Sequence, residues 1–262
     1  MSETPPVRHE RDGDCLILTF NRPDRLNALS SKMLAALKGE LDLAADPDAG
    51  VRALILTGAG RGFSSGADLA ENPAGGPIDL ATTLRERYAP VIERLVSLPF
   101  PVVAAVNGAA AGAGMSLALA CDFIIASRSA YFLQAFINIG LVPDAGSTWF
   151  LPRLVGPQRA RRLMMLGERL EAERAWEWGL VHEVVADQEL MTRARAFAGE
   201  LAEGPTRALA GIRTLLRQSL DSDLPAQLEH EAVIQGLMGR TSDFLEGVSA
   251  FLQKRPARFR GK

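Results

Sequence analysis

Between Pro101 and Asp122 the chain reads PVVAAVNGAAAGAGMSLALACD, an unbroken apolar row followed by a turn and a run of small residues. Val102 to Val106 has the length and β-branching of a buried strand, and Asn107-Gly108 ends it. The Gly/Ala run then opens a helix whose small side chains admit another backbone or a ligand at close range. Free N–H groups at a helix start favour negative charge, so this stretch is suited to holding an oxyanion.

The rest of the chain follows the same rhythm. Cys15 to Phe20 is an apolar strand broken by Asn21-Arg22-Pro23-Asp24. Ser30 or Ser31 can cap a helix through about Ala45, with Met33, Leu34, Leu37, Leu41 and Leu43 on its apolar side. After the Asp46–Gly50 turn cluster, Val51 to Thr57 is a second strand, followed by a glycine cluster and FSSGADL. A Pro/Gly-rich loop from Asn72 to Pro77 precedes a helix over Leu80 to Leu98. Asp122 to Ala126 and Tyr131 to Leu133 are strands, and Gly140 to Gly146 is a rigid turn ahead of a helix capped near Ser147. Short strands separated by helices predict stacked, right-handed βαβ turns. From Pro157 the pattern is nearly all helical, with one strand at Leu180 to Val185 and three or four helices over residues 187–252. A composition shift at 190–205 marks the one candidate boundary.

Composition narrows the function classes. The 262 residues are 47% hydrophobic and 23% charged, with 29 Lys and Arg against 31 Asp and Glu. Such a balance gives no support to nucleic-acid binding. Cys15 and Cys121 have neither metal-ligand spacing nor the density of a disulfide framework, so no metal is expected. With no apolar run of membrane-spanning length and no signal-peptide core, the expectation is a cytoplasmic protein without a membrane partner.

Two motifs mislead. Gly58 and Gly60 begin a G-x-G-x-x-G whose last position is Phe63, and no Gly-Lys-Ser/Thr follows for a P-loop. Gly62-Phe63-Ser64-Ser65-Gly66 is a literal G-x-S-x-G, with Asp144 and His182 downstream in hydrolase order. That motif needs a full helix after the serine, and here about seven residues precede a Pro/Gly break. His182 lies in a strand-like apolar run, where a structural histidine is expected.

FSSGADL, VNGAAAGAGMSLALACD and IGLVPDAGSTWFLPRLVG, in that order, resemble the enoyl-CoA hydratase/isomerase (crotonase) superfamily. NRPDRLNALS near the start and DFLEGVSAFLQKRPARF near the end fit the same pattern, so the likeness covers nearly the whole chain. It implies an α/β fold of the ClpP/crotonase type, a spiral of ββα turns over residues 1–200. A C-terminal helical region, 201–262, would serve trimerisation in a homotrimer or homohexamer. It implies an acyl-CoA thioester as substrate, with coenzyme A arriving as part of it and no separate cofactor. Backbone N–H groups of Ala67 and Ala113 match the oxyanion donors. Arg25, Leu26 and Ala28, with Ser65, Asp68 and Leu69 beside them, match the coenzyme A groove, and Lys254 matches a basic position near its phosphates. Tight helix packing around Gly112-Ala113-Gly114, and plain surface charge at Arg25 and Lys254, are the simpler alternatives.

One departure bears on the chemistry. By the resemblance, hydratases carry two glutamates where this chain has Ser116 and Phe136. Asp144 remains, at the position of the single acid of isomerase-like and dehalogenase-like branches, among apolar neighbours that would raise its pKa. A turn or N-cap aspartate is the plain alternative. The fullest likeness is to the ring-1,2-epoxyphenylacetyl-CoA isomerases of phenylacetate breakdown, sharing AGAG with a non-acidic position after it, the PD-x-G-x-TW turn and EGVSAFL-x-KR. The expectation is therefore an acyl-CoA isomerase shuttling a proton on Asp144. Its rivals are an enoyl-CoA hydratase and a catalytically silent acyl-CoA binding protein. The Glu71–Ala81 loop, expected to shape the acyl pocket, carries no readable pattern.

Overall fold

The computed structural model describes residues 4–71 and 79–262, so the loop expected from Asn72 to Pro77 lies outside the described residues. Strands β1 (Val7–Asp12) and β2 (Cys15–Phe20) pair antiparallel, and β2 then pairs in parallel with β3 (Ala53–Gly58). The polar run VRHERD shows no strand pattern because β1 is an edge strand with Val7 as its one buried residue. Between β2 and β3, helix α1 (Ser31–Ala44) is capped by Ser30, whose Oγ accepts from the Met33 N–H at 3.2 Å. Met33, Leu34, Leu37 and Leu41 are buried; Leu43 is exposed, because its angle on the helix takes it off that stripe.

After β3 the chain bends into β4 (Gly62–Ser64). The expected helix over Leu80 to Leu98 is α2 (Leu80–Thr83), a π-helical turn (Leu84–Tyr88) and α3 (Ala89–Ser97). Strands β5 (Val102–Val106) and β6 (Ala109–Ala111) precede α4 (Ala113–Leu119); strands β7 (Phe123–Ser127) and β8 (Tyr131–Leu133) precede α5 (Ser147–Val155) and α6 (Pro157–Leu166). Strand β9 (Arg169–Glu171), helix α7 (Ala172–Glu177) and strand β10 (Glu183–Val185) lead into α8 (Leu190–Glu203), α9 (Thr206–Ser219), α10 (Leu224–Met238) and α11 (Ser242–Leu252). The strand expected from Leu180 is shorter, since only Glu183 to Val185 pair with β7.

Successive turns place β3 and β4, β5 and β6, and β7 and β8 as one strand in each of two sheets. The first has the order β1-β2-β3-β5-β7-β10 and the second β4-β6-β8-β9. Stacking is parallel throughout β2-β3-β5-β7 and β4-β6-β8, which gives ββα turns rather than simple βαβ ones. The first sheet's inner strands β2, β3, β5 and β7 are buried on both faces, as their near-continuous apolar runs require. On one face, Leu190, Ala194, Ala198 and Ala202 of α8 pack at four-residue spacing on Cys15, Ile17, Ala53, Ile55, Val103, Ala105 and Ile125. Packing on the spiral thus continues to Ala202. Helix α9 is then tied back through Arg213, whose Nε donates to Asp122 Oδ1 at 2.7 Å while its guanidinium and that of Arg217 reach carbonyls of Leu95, Val96 and Leu98. Those carbonyls close α3, where a cation opposes the negative end of the helix.

Candidate active site

Two backbone straps leave the second sheet side by side. β4 ends at Ser64 and its strap passes through Gly66 (φ +93°); β6 ends at Ala111 and its strap passes through Gly112 (φ +51°). A Cβ on Gly66 would lie 2.8 Å from the Ala111 carbonyl oxygen and 3.4 Å from the Ala113 nitrogen. Only glycine allows that approach. The Leu29 N–H donates to the Gly66 carbonyl at 2.7 Å, and the Asp68 N–H donates to the Leu29 carbonyl at 3.2 Å. Strand alternation therefore turns the Ala67 N–H the opposite way, off Leu29. Ala113 is the first residue of α4, where no helical acceptor exists for its N–H. Among the described residues neither N–H has a protein acceptor. Gly114 serves tight packing instead, since a Cβ there would meet Ser64 at 2.6 Å.

Asp144 sits in the turn Pro143-Asp144-Ala145-Gly146, whose Ala145 and Gly146 are both left-handed (φ 48° and 84°). It lines a cavity of about 580 Å³ with Leu84, Tyr88, Ile92, Leu141 and Val142. Its Oδ1 is buried without a hydrogen-bond partner, and burial pushes its carboxyl pKa up to about 6. The plain cap reading does not describe it: the N-cap of α5 is Gly146, with no side-chain bond, and Ser147 is the first helical residue rather than the cap. Tyr88, which the sequence pattern does not single out, faces the same cavity. Burial first, then the charges of Asp144, Glu71 and Asp68, hold its phenol above the ordinary range, so it stays neutral. It stands four residues before Ile92 and four after Leu84, a helical stripe legible in the sequence, but what that stripe faces is not.

Ser116 and Phe136 flank the straps without supplying a carboxylate. Ser116 Oγ lies 3.0 Å from the Asp144 carbonyl oxygen and 2.7 Å from Ser147 Oγ. The Phe136 ring lies 3.8 Å from where a Cβ on Gly112 would stand.

A second cavity, of about 750 Å³, is lined by Arg22, Arg25, Lys32, Ala36, Asp68 and Glu71, among others. Arg22 is held there by Asp68 at 2.8 Å. Leu26 (φ 48°) and buried Ala28 belong to the loop that shapes it, and Ser65 braces that loop by donating from Oγ to the Arg25 carbonyl and from N to the Leu26 carbonyl. Leu69 is exposed in the short turn beyond Asp68. Arg25 and Asp68 are thus brought together; Lys254 is not. It is exposed in the turn after α11 and lines neither cavity within one chain.

The serine-hydrolase arrangement is absent from the described residues. Ser64 is buried with its Oγ donating to the Asn27 carbonyl at 2.9 Å, and His182 stacks on Phe197 at 5.0 Å. No group of three or more His, Cys, Asp or Glu side chains among the described residues could hold a metal ion.

Comparison with known proteins identifies the family. The enoyl-CoA hydratase/isomerase family profile matches residues 10–262. A probable enoyl-CoA hydratase of Rhodobacter capsulatus is 47% identical over 257 residues, 98% of each chain. The 1,2-epoxyphenylacetyl-CoA isomerase of Escherichia coli is 46% identical over 250 residues, 94% of this chain and 95% of that one. Among solved structures, an enoyl-CoA hydratase subunit of Geobacillus kaustophilus superposes over 100% of both chains with a TM-score of 0.92 at 38% identity. The chain is an enzyme of the enoyl-CoA hydratase/isomerase family, built on the crotonase fold.

Proposed function

We propose that this enzyme isomerises acyl-CoA thioesters, moving a proton on a thioester enolate with Asp144 as shuttle. The observation that carries the reading is one buried, unpartnered carboxylate oxygen beside the straps, with no second acid at Ser116 or Phe136. The thioester carbonyl would accept hydrogen bonds from the Ala67 and Ala113 N–H groups, which stabilise the enolate oxygen. Asp144 takes a proton from one carbon, and the electron pair delocalises into the carbonyl. The same carboxyl returns that proton at another carbon, so the reaction is balanced without water. Coenzyme A would lie along Arg25, Leu26, Ala28, Ser65, Asp68 and Leu69, and its phosphates suit the arginines of that cavity.

The named isomerase relative suggests the acyl group: a phenylacetyl-type ring epoxide, or an enoyl chain. The 580 Å³ cavity is of ordinary size for such a ligand. Hydration is the competing reading, since other relatives are named hydratases. It is tested by offering crotonyl-CoA and a 3-enoyl-CoA in parallel. Isomerisation should proceed readily while hydration stays far below the ~10 s⁻¹ usual for enzymes. Ser116→Glu alone should not create a hydratase, because Phe136 still supplies no second carboxylate. Hydration at an ordinary enzymatic rate would overturn the isomerase reading, and binding without turnover of any thioester would favour a silent binding protein.

Assembly belongs to the same reading. Leu216, Leu245, Phe251 and Leu252 of the C-terminal helices are exposed by 66–83% within one chain, more apolar surface than water tolerates comfortably. A homotrimer or homohexamer would cover it and would set Lys254 near a coenzyme A groove. Light scattering should give three or six times 28.2 kDa, and a fully active monomer would refute this.

A further inference from the structure

We propose that Ser116 is a positioning residue that ties the proton-shuttling carboxylate to the oxyanion strap through a single hydroxyl. The inference rests on the assignment of Asp144 as the base and adds what holds it in place.

Ser116 is fully buried one turn into α4. Its backbone N–H donates to the Gly112 carbonyl at 3.1 Å, and its Oγ lies 3.3 Å from the same oxygen. That carbonyl belongs to the peptide whose N–H is the Ala113 donor. The Oγ is closer, at 3.0 Å, to the carbonyl of Asp144. One side chain therefore stands between the peptide that holds the enolate and the residue that moves the proton.

Hydrogen counting limits how the network can be made. A serine hydroxyl has one proton to donate. Ser116 Oγ has the Asp144 carbonyl at 3.0 Å, the Gly112 carbonyl at 3.3 Å and Ser147 Oγ at 2.7 Å, a contact in which either hydroxyl can donate. Ser147 Oγ has Gln134 Nε2 at 3.3 Å and Gln134 Oε1 at 3.4 Å. With Ser147 donating to Ser116, the Ser116 proton goes to the nearer carbonyl, that of Asp144. Gln134, Ser147 and Ser116 are all buried, so each link is made in a medium where hydrogen bonds reinforce one another. The turn needs such a hold. Ala145, a residue with a Cβ, sits at φ 48°, a conformation that costs about 1–2 kcal/mol and persists only when surroundings impose it. Asp144's carbonyl, accepting from Ser116 Oγ and from the Ser147 N–H at 3.0 Å, anchors that turn.

The test is Ser116→Ala, assayed for isomerisation with the native protein, Ser147→Ala and Asp144→Asn alongside. Ser116→Ala should lower kcat by about 10- to 100-fold, the penalty of misplacing a reacting group, with KM within about twofold. Ser147→Ala, which leaves the Ser116 proton on the Asp144 carbonyl, should lower kcat less than about threefold. A native-like kcat in Ser116→Ala overturns the proposal. So does a loss matched by the fall in folded fraction, or an equal loss in Ser147→Ala, since either marks a packing role. Asp144→Asn separates the two assignments: if it stays active the base is wrong, and if it is dead while Ser116→Ala is native-like only the positioning role fails.

Discussion

Asp144→Asn lowers the isomerisation kcat by about 10²–10⁴-fold, the usual cost of losing a general base, while acyl-CoA affinity stays within a few fold. The amide keeps the shape of the carboxylate but cannot take a proton. Steady-state kinetics beside calorimetric titration with a non-reacting CoA ester would check both halves, and retention of more than a tenth of the activity would end the assignment. The native enzyme should lose kcat/KM as pH falls through about 6, because burial sets the Asp144 pKa there and the base must be ionised. Stability has the opposite sign. The folded pKa lies above the ordinary 3.8, so the native state binds this proton more tightly than the unfolded chain. This group's contribution to stability is therefore greatest below pH 3.8 and lost as pH rises through about 6. At neutral pH the buried carboxylate is a cost, and Asp144→Asn should melt higher than the native protein there, an advantage that shrinks as pH falls towards the ordinary carboxylate range. With Asp144 as the base, activity and stability would conflict at this one residue.

Gly66→Ala is expected to cost about 10²–10³-fold in kcat, as loss of one oxyanion donor does. The added methyl would stand 2.8 Å from the Ala111 carbonyl oxygen, and both are backbone-bound, so no side chain can yield. The straps must part, which moves the Ala67 N–H away from the Ala113 N–H. Positive φ adds a strain of about 1–2 kcal/mol, which alone would only lower Tm. Gly50→Ala isolates that strain: its φ is +64°, with nothing within 4 Å of an added Cβ. Gly50→Ala should lose thermal stability and keep kcat; Gly66→Ala should lose both. Equal kcat in the two variants would show that the Ala67 strap holds no reacting oxygen.

Much of this architecture is written in local sequence. Four or five consecutive apolar residues mark β2, β3, β5 and β7, because a strand covered on both faces has no polar side to show. Ser30 announces its helix by its own chemistry, and Gly66 and Gly112 by the backbone freedom they supply. Asp144 is legible too: a lone acid among Leu141, Val142, Pro143 and Ala145 has its pKa pushed up by composition. The three-residue strands β6 and β9 are not legible. They are too short for any period to register, and they exist only because the turns of the spiral stack and give their backbones partners. Polar β1 is a strand because β2 offers it an edge. Tertiary structure likewise decided what Ser116 does. Its identity excludes an acid at that position, but its hydroxyl gains a partner across the site only when α4 is laid against the turn at Asp144, 28 residues along the chain. Lys254 shows the same limit from the other side, since likeness assigns it to coenzyme A while in one folded chain it is exposed and does not line the cavity that Arg25 lines. Propensity and burial act over a few neighbouring residues and can be read in a line. Contacts between distant segments depend on how the chain returns upon itself, and that the fold alone supplies.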